Sequence, residues 1–187
     1  MKFLVAFSLF LVCGFSAVSA ATGPDARPFP RPTEQCADRS LTAPVIQGSN
    51  AQRKTIALFS VGKYIDWVSV THITDPWVYL GETFLAWDTP QGNLTTPLYR
   101  LYNPTNTDTL CATSRDTNAP SFPGYRVQYI LGHVYPTQIC GSVPLLGVYN
   151  AATGVHYYTT NAAVHTQFMG ITGWVDASPG AFVIPVW

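Results

Sequence analysis

The chain repeats itself, and that limits its folds more than any other feature of it. "PLYRLYNPTNTDTLCATS" (97–114) and "PLLGVYNAATGVHYYTTN" (144–161) align without a gap at an offset of 47, sharing Pro, Leu, Tyr-Asn and a late Thr. Downstream, "GYRVQYILGHVYP" (124–136) aligns with "GWVDASPGAFVIP" (173–185) at an offset of 49, opening on Gly-aromatic and closing on Val-x-Pro. A fainter copy runs through "IALFSV" (56–61), "DWVSVTH" (66–72) and "GETFLAWDTP" (81–90), setting Asp66 against Asp108 and Gly81 against Gly124 and Gly173. Units this small cannot bury an apolar face alone, so neighbours must share one core. Three units follow, 55–96, 97–143 and 144–187.

Within a unit the periodicity is that of strands. "PLYRLYN" and "VHYYTT" are short, rich in aromatic and β-branched residues, and bounded by Asn, Gly and Pro, the pattern of strands joined by tight turns. Helical spacing is confined to "NAAVHTQFMG", where Asn161 is placed to cap a short helix ahead of Gly170. The expected fold is all-β with minor α, three repeats closing about a pseudo-threefold axis. The closure is either a β-trefoil-like barrel or a small propeller-like ring.

What precedes the repeats is different. "MKFLVAFSLFLVCGFSAVSAA" has one basic residue, Lys2, an apolar run and the small-residue pattern Val18-Ser19-Ala20, so residues 1–20 read as a secretory signal peptide and the protein as secreted and extracellular. No later segment has the roughly 20 apolar residues of a membrane-spanning helix. Residues 21–54 begin with "ATGPDARPFPRPT" and read as a Pro-rich irregular segment. Without residues 1–20 the chain keeps nine basic and ten acidic residues. With a net charge of only −1 and no basic run, nucleic acid and anionic membrane are not expected partners. Charged residues make up only 11% of the sequence, so solubility rests on hydroxyls, amides and glycans. One sequon, Asn93-Leu94-Thr95, lies in the turn-rich "DTPQGNLTTP" and marks Asn93 for glycosylation.

Cys13 leaves with the signal peptide, and Cys36, Cys111 and Cys140 remain. Cys36 and Cys140 lie in connector-like surroundings, "PTEQCADRS" and "PTQICGS", and are expected to form a disulfide. Cys111, inside the alternating "TLCATS", reads as a buried small hydrophobe.

"PLYRLYN", "VPLLGVYN", "VHYYTTN" and "GYRVQYILGHVYPTQICGSVPL" carry a resemblance. Units two and three resemble a repeat family of secreted fungal and bacterial proteins. Its units have a "PLYRLYN" strand, an Asp-His-Phe-Tyr-Thr-Thr signature, a short helix containing Glu, and a closing Gly-Tyr strand ending in Pro. The resemblance implies a repeat fold, a function not yet assigned, and a lectin-like setting sometimes beside wall-degrading enzymes. The chain departs from the pattern. The signature aspartate is Asp108 in unit two but Val155 in unit three, the histidine is Thr109 and then His156, and the helix glutamate is absent.

The candidate chemistry is sugar recognition by stacked rings beside polar groups. Its residues are Tyr102, Asn103, Asp108, Asn150, His156, Tyr157 and Trp174, with His156, Tyr157 and Asn150 lining one shallow site. The plainer expectation is that His156 and Tyr158 face one side of a strand, Tyr157 and Thr159 the other, and that the tryptophans pack between units. No catalytic residue is expected. Glycosidases need paired carboxylates, and Asp66, Glu82, Asp88, Asp108 and Asp176 are isolated in sequence. The histidines lack metal-ligand spacing, so neither metal nor cofactor is expected. Three functions remain: a non-catalytic lectin-like module binding glycans or cell-wall polysaccharide, a secreted structural or interaction protein, and, least favoured, a glycoside hydrolase.

Overall fold

One pairing pattern recurs along the chain. A computed structural model describes residues 34–71, 75–114 and 118–186; the expected signal peptide and the start of the Pro-rich segment lie outside the described residues. Strand β1 (Thr42–Asn50) pairs antiparallel with β2 (Thr55–Ser60) and with β3 (Val78–Trp87). Strand β4 (Thr96–Tyr102) pairs likewise with β5 (Thr109–Thr113) and β6 (Arg126–Val134). After the short β7 (Val143–Pro144), β8 (Leu146–Asn150) pairs with β9 (Val155–Thr159) and β10 (Trp174–Asp176). Each hairpin's first strand thus lies between its partner and a later, returning strand. The last strand, β11 (Phe182–Val183), runs back along β7.

The fold is mostly β with open sheets. One sheet has the order β2-β1-β3-β6-β4-β5, with a single register pair, Trp87 with His133, joining β3 to β6. Two bridges complete a cycle: Tyr135 pairs with Phe182, and Ile184 with Leu85. Strands β3 and β6 and the segment around β11 therefore meet pairwise. The buried core below them draws evenly on the chain. Val45, Leu58, Phe84 and Ala86 come from the first three strands, Leu98, Cys111, Leu131 and Val134 from the next three, and Leu145, Tyr158, Ala181 and Val183 from the last. Each fully buried aliphatic or aromatic side chain here contributes roughly 1.5–3 kcal/mol.

Two sequence expectations are corrected. Residues 42–50 are not irregular lead-in but strand β1, which lies between β2 and β3. "TAPVIQGSN" hides this because it lacks aromatics and carries a proline. Pro44 pairs only with β3, ahead of the β2 register that starts at Val45, and such a one-sided position tolerates its missing N–H. Including β1 moves the equivalences. Asn50 faces Thr55, the Asn103 N–H bonds the Asp108 carbonyl at 2.9 Å, and Asn150 faces Val155. Thr55, not Asp66, therefore matches Asp108.

Asp66 lies instead on helix α1 (Val61–Thr71), a stretch whose β-branched and aromatic residues read as strand. Its Tyr64, Trp67 and Val68 pack against Phe59 and Trp77. The expected second helix, α2 (Ala162–Met169), is present, and the Asn161 side chain accepts from the Ala163 and Val164 N–H groups. The disulfide joins Cys36 to Cys140 with Cα atoms 5.7 Å apart, and Cys111 is free and buried. Beside it the Ala37 N–H bonds the Tyr135 hydroxyl at 3.0 Å, and the Trp87 indole bonds the Asp38 carbonyl at 2.7 Å.

Candidate functional site

The Asn103-to-Asp108 turn buries a carboxylate. Asn103 Oδ1 accepts from the Thr105 N–H, Asn106 Oδ1 accepts from the Asp108 N–H, and Thr107 takes the left-handed conformation at φ 62°. Asp108 is 0% exposed. Its Oδ2 lies 2.7 Å from His156 Nδ1 and accepts from the Tyr125 hydroxyl at 2.5 Å, while Oδ1 accepts from the His156 backbone N–H at 3.2 Å. An ionised carboxylate only accepts. Nδ1 therefore carries the proton, and in the neutral ring Nε2 is left as an acceptor.

Three rings set the imidazole's orientation. Tyr149, its partner across β8 and β9, stacks on it with centroids 4.4 Å apart; Tyr158 lies parallel at 6.2 Å, and Tyr125 meets it edge-on at 6.5 Å. Burial, then the Asp108 carboxylate, pushes the Tyr125 phenol above its ordinary range, so it stays a donor. Behind it the Cys111 N–H bonds the Tyr158 hydroxyl at 2.7 Å, and burial pushes the Cys111 thiol up to about 12.

In front is a hollow of about 450 Å³, lined by His156, Tyr125, Tyr149 and Phe122, with Thr113 and Ser178 among the remaining wall residues. Among the described residues, no Asp, Glu, Lys or Arg lines it. Gly147 makes its far wall possible. A Cβ there would lie 2.6 Å from the Ala177 carbonyl, and without one the strand closes on 177–178 through Ala177 N–H to Gly147 O and Gly147 N–H to Ser178 Oγ. Ser178 in turn bonds Asp176, which also meets His165 at 3.0 Å; the Ser178 bond leads in holding the Asp176 carboxyl below its usual range.

A second hollow, about 510 Å³, lies where Tyr157, Phe168 and Trp174 meet Lys54, Ile56 and Val155. Three of its lining residues, Tyr157, Trp174 and Ile56, have counterparts lining the first, and Val155 stands where Asp108 does. Leu110 corresponds to Tyr157 and Asp108 to Val155 at the offset of 47, and Tyr125 to Trp174 at 49. By the hairpin registers, His156 corresponds to Ile56. The Asp-His-Tyr cluster of one junction is Val-Ile-Trp at the other.

The sequence candidates therefore divide. Asp108 and His156 meet. Tyr157 and Trp174 form the second hollow, so the expectation that His156 and Tyr157 line one site is corrected: adjacent strand residues point to opposite faces. Asn150 and Asn103 sit in turns, Asn150 Oδ1 accepting from the Ala152 and Thr153 N–H groups. Tyr102 is half-buried under the Arg126 guanidinium, 5.8 Å from its ring centre. Asn93 is exposed on the turn before β4. Tyr125 and Tyr149 were missed, though each sits in a repeated dipeptide, Gly-aromatic and Tyr-Asn.

A family model described as "Domain of unknown function (DUF5648)" matches residues 67–184. The chain belongs to the DUF5648 family. The match starts inside α1, so β1 and β2 of this DUF5648 chain precede it. No curated protein and no solved structure matches the chain. No helix among the described residues is long and apolar enough to cross a membrane.

Proposed function

We propose that this DUF5648 chain is a secreted, non-catalytic carbohydrate-binding module that takes a neutral sugar in the Asp108–His156–Tyr125 hollow. One observation carries the proposal. The register-equivalent junction carries Val155, Ile56 and Trp174 instead, so the fold has an apolar solution for this place. A buried carboxylate with three hydrogen bonds stabilises a fold no better than well-packed apolar residues. What it adds is an imidazole held in one tautomer at the wall of a ring-lined hollow whose described lining carries no Asp, Glu, Lys or Arg, which suits a ligand that is apolar on one face and hydroxylated at its edge. The pseudo-threefold closure, trefoil-like or propeller-like, belongs to the same proposal. The cyclic bridges and the even core support it.

Glycosidase chemistry needs a second carboxylate facing the first, and the described lining residues supply none. A purely structural secreted protein is the alternative. A glycan array and pull-down on fungal cell-wall polysaccharides, run with the secreted chain and with Tyr149→Ala, decide between them. Retention by the wild type and its loss in the variant are expected; no retention on any glycan favours the structural protein.

A further inference from the structure

We infer that the second hollow, formed by Tyr157, Phe168 and Trp174, is a second sugar site, so that one chain holds two saccharide rings at once. The inference rests on the proposed sugar-binding function and extends it to a place with different chemistry. The two hollows occupy matching places in successive repeats: Leu110 and Tyr125 contribute to the first, Tyr157 and Trp174 to the second. They are of similar size, about 450 and 510 Å³.

The second hollow exchanges hydrogen bonding for aromatic surface. Phe168, on α2, lies 4.8 Å from the Tyr157 ring and 4.7 Å from the Trp174 ring, its plane inclined to each at 34° and 58°. Tyr157, Phe168 and Trp174 are all half-buried, so each keeps some surface towards solvent. Val155 and Ile56 remove the carboxylate and the imidazole, and Lys54, the one charged residue among the described lining residues, is exposed. Such a wall takes the C–H face of a neutral pyranose by stacking and leaves its hydroxyls to water. The first site therefore selects by hydrogen bonds and the second by shape. Two sites on one chain raise retention on a polysaccharide surface by roughly a hundredfold or more where both can be occupied together.

Cellohexaose, laminarihexaose, chitohexaose and mannohexaose are titrated into isotope-labelled secreted chain, following the Trp174 indole N–H and the Tyr149 ring by NMR. Saturable shifts at both reporters with at least one hexaose are expected, with a calorimetric stoichiometry of two sites per chain for a short oligomer of the same sugar. Trp174→Ala should lower that stoichiometry to one and keep the Tyr149 shifts; the wild-type indole signal stands as the readout should the variant fail to fold. An indole that stays unmoved while Tyr149 saturates overturns the second site and leaves the first standing. Silence at both reporters with all four sugars overturns the second site together with the sugar-binding proposal.

Discussion

Asp108 and His156 are 48 residues apart, on different hairpins, and their side chains meet at 2.7 Å inside the protein. Removing one partner of such a buried cluster is worse than replacing it whole. Asp108→Ala leaves the Tyr125 hydroxyl, the His156 ring and the His156 backbone N–H without their acceptor, and should destabilise the fold by about 3 to 5 kcal/mol. Urea denaturation checks this; a loss under about 1 kcal/mol would mean that water replaces the carboxylate.

The Cys36–Cys140 bond closes a loop of 104 residues. Chain entropy assigns such a crosslink about 4 to 5 kcal/mol. Cys36→Ser should lower the melting temperature markedly, and peptide mapping of the native protein should find Cys111 outside every disulfide.

Alkaline pH should destabilise the protein through Cys111. Its thiol moves from 9.0 to about 12 because burial disfavours the thiolate, opposed only in part by Arg100. A raised folded-state value means the stabilisation is whole below pH 9 and is lost as pH rises from 9 towards 12, because only the unfolded chain releases its proton there. The slope for this one group is about 1.4 kcal/mol per pH unit. Tyr158, raised by the same burial, adds to the loss at higher pH. Stability measured from pH 8 to 11 should fall less steeply in Cys111→Val than in the wild type.

The cyclic contact of the returning strands gives a fourth test. Ile184 bridges to Leu85 and Phe182 to Tyr135, both beyond their own hairpin. Removing residues 182–187 should therefore abolish cooperative unfolding across the domain rather than fray one end, which hydrogen exchange on β3 and β6 would show.

Much of this was legible in the sequence, for definite reasons. The 47- and 49-residue offsets exposed the strands of the β4–β5 and β8–β9 hairpins because aromatic strands and Asn- or Gly-bounded turns occur in both. The Cys36–Cys140 pairing followed from where the cysteines sit relative to strands. Strand β1 was not legible because it carries Pro44, Gln47 and Gly48 in place of aromatics, and α1 was not because its Val, Ile and Trp have strand propensity that packing against Phe59 overrides. The site was half legible. Asp108 and His156 stood out as remnants of a signature, but their meeting depends on how successive hairpins abut, and no spacing within one hairpin encodes that. The same reasoning hid the two hollows. Alternation along β9 separates His156 from Tyr157, and only the third dimension adds Tyr125 and Tyr149 to the first.

The central claim is that the Asp-His-Tyr cluster serves a ligand and not the fold. It is tested by giving this junction the residues its counterpart already uses, Asp108→Val with His156→Ile and Tyr125→Trp in one chain. Replacing the whole cluster by apolar residues should change stability by no more than roughly 1.5 kcal/mol, while glycan retention through the first hollow is lost. A triple variant that unfolds, or one that folds and binds glycan as the wild type does, would contradict the claim.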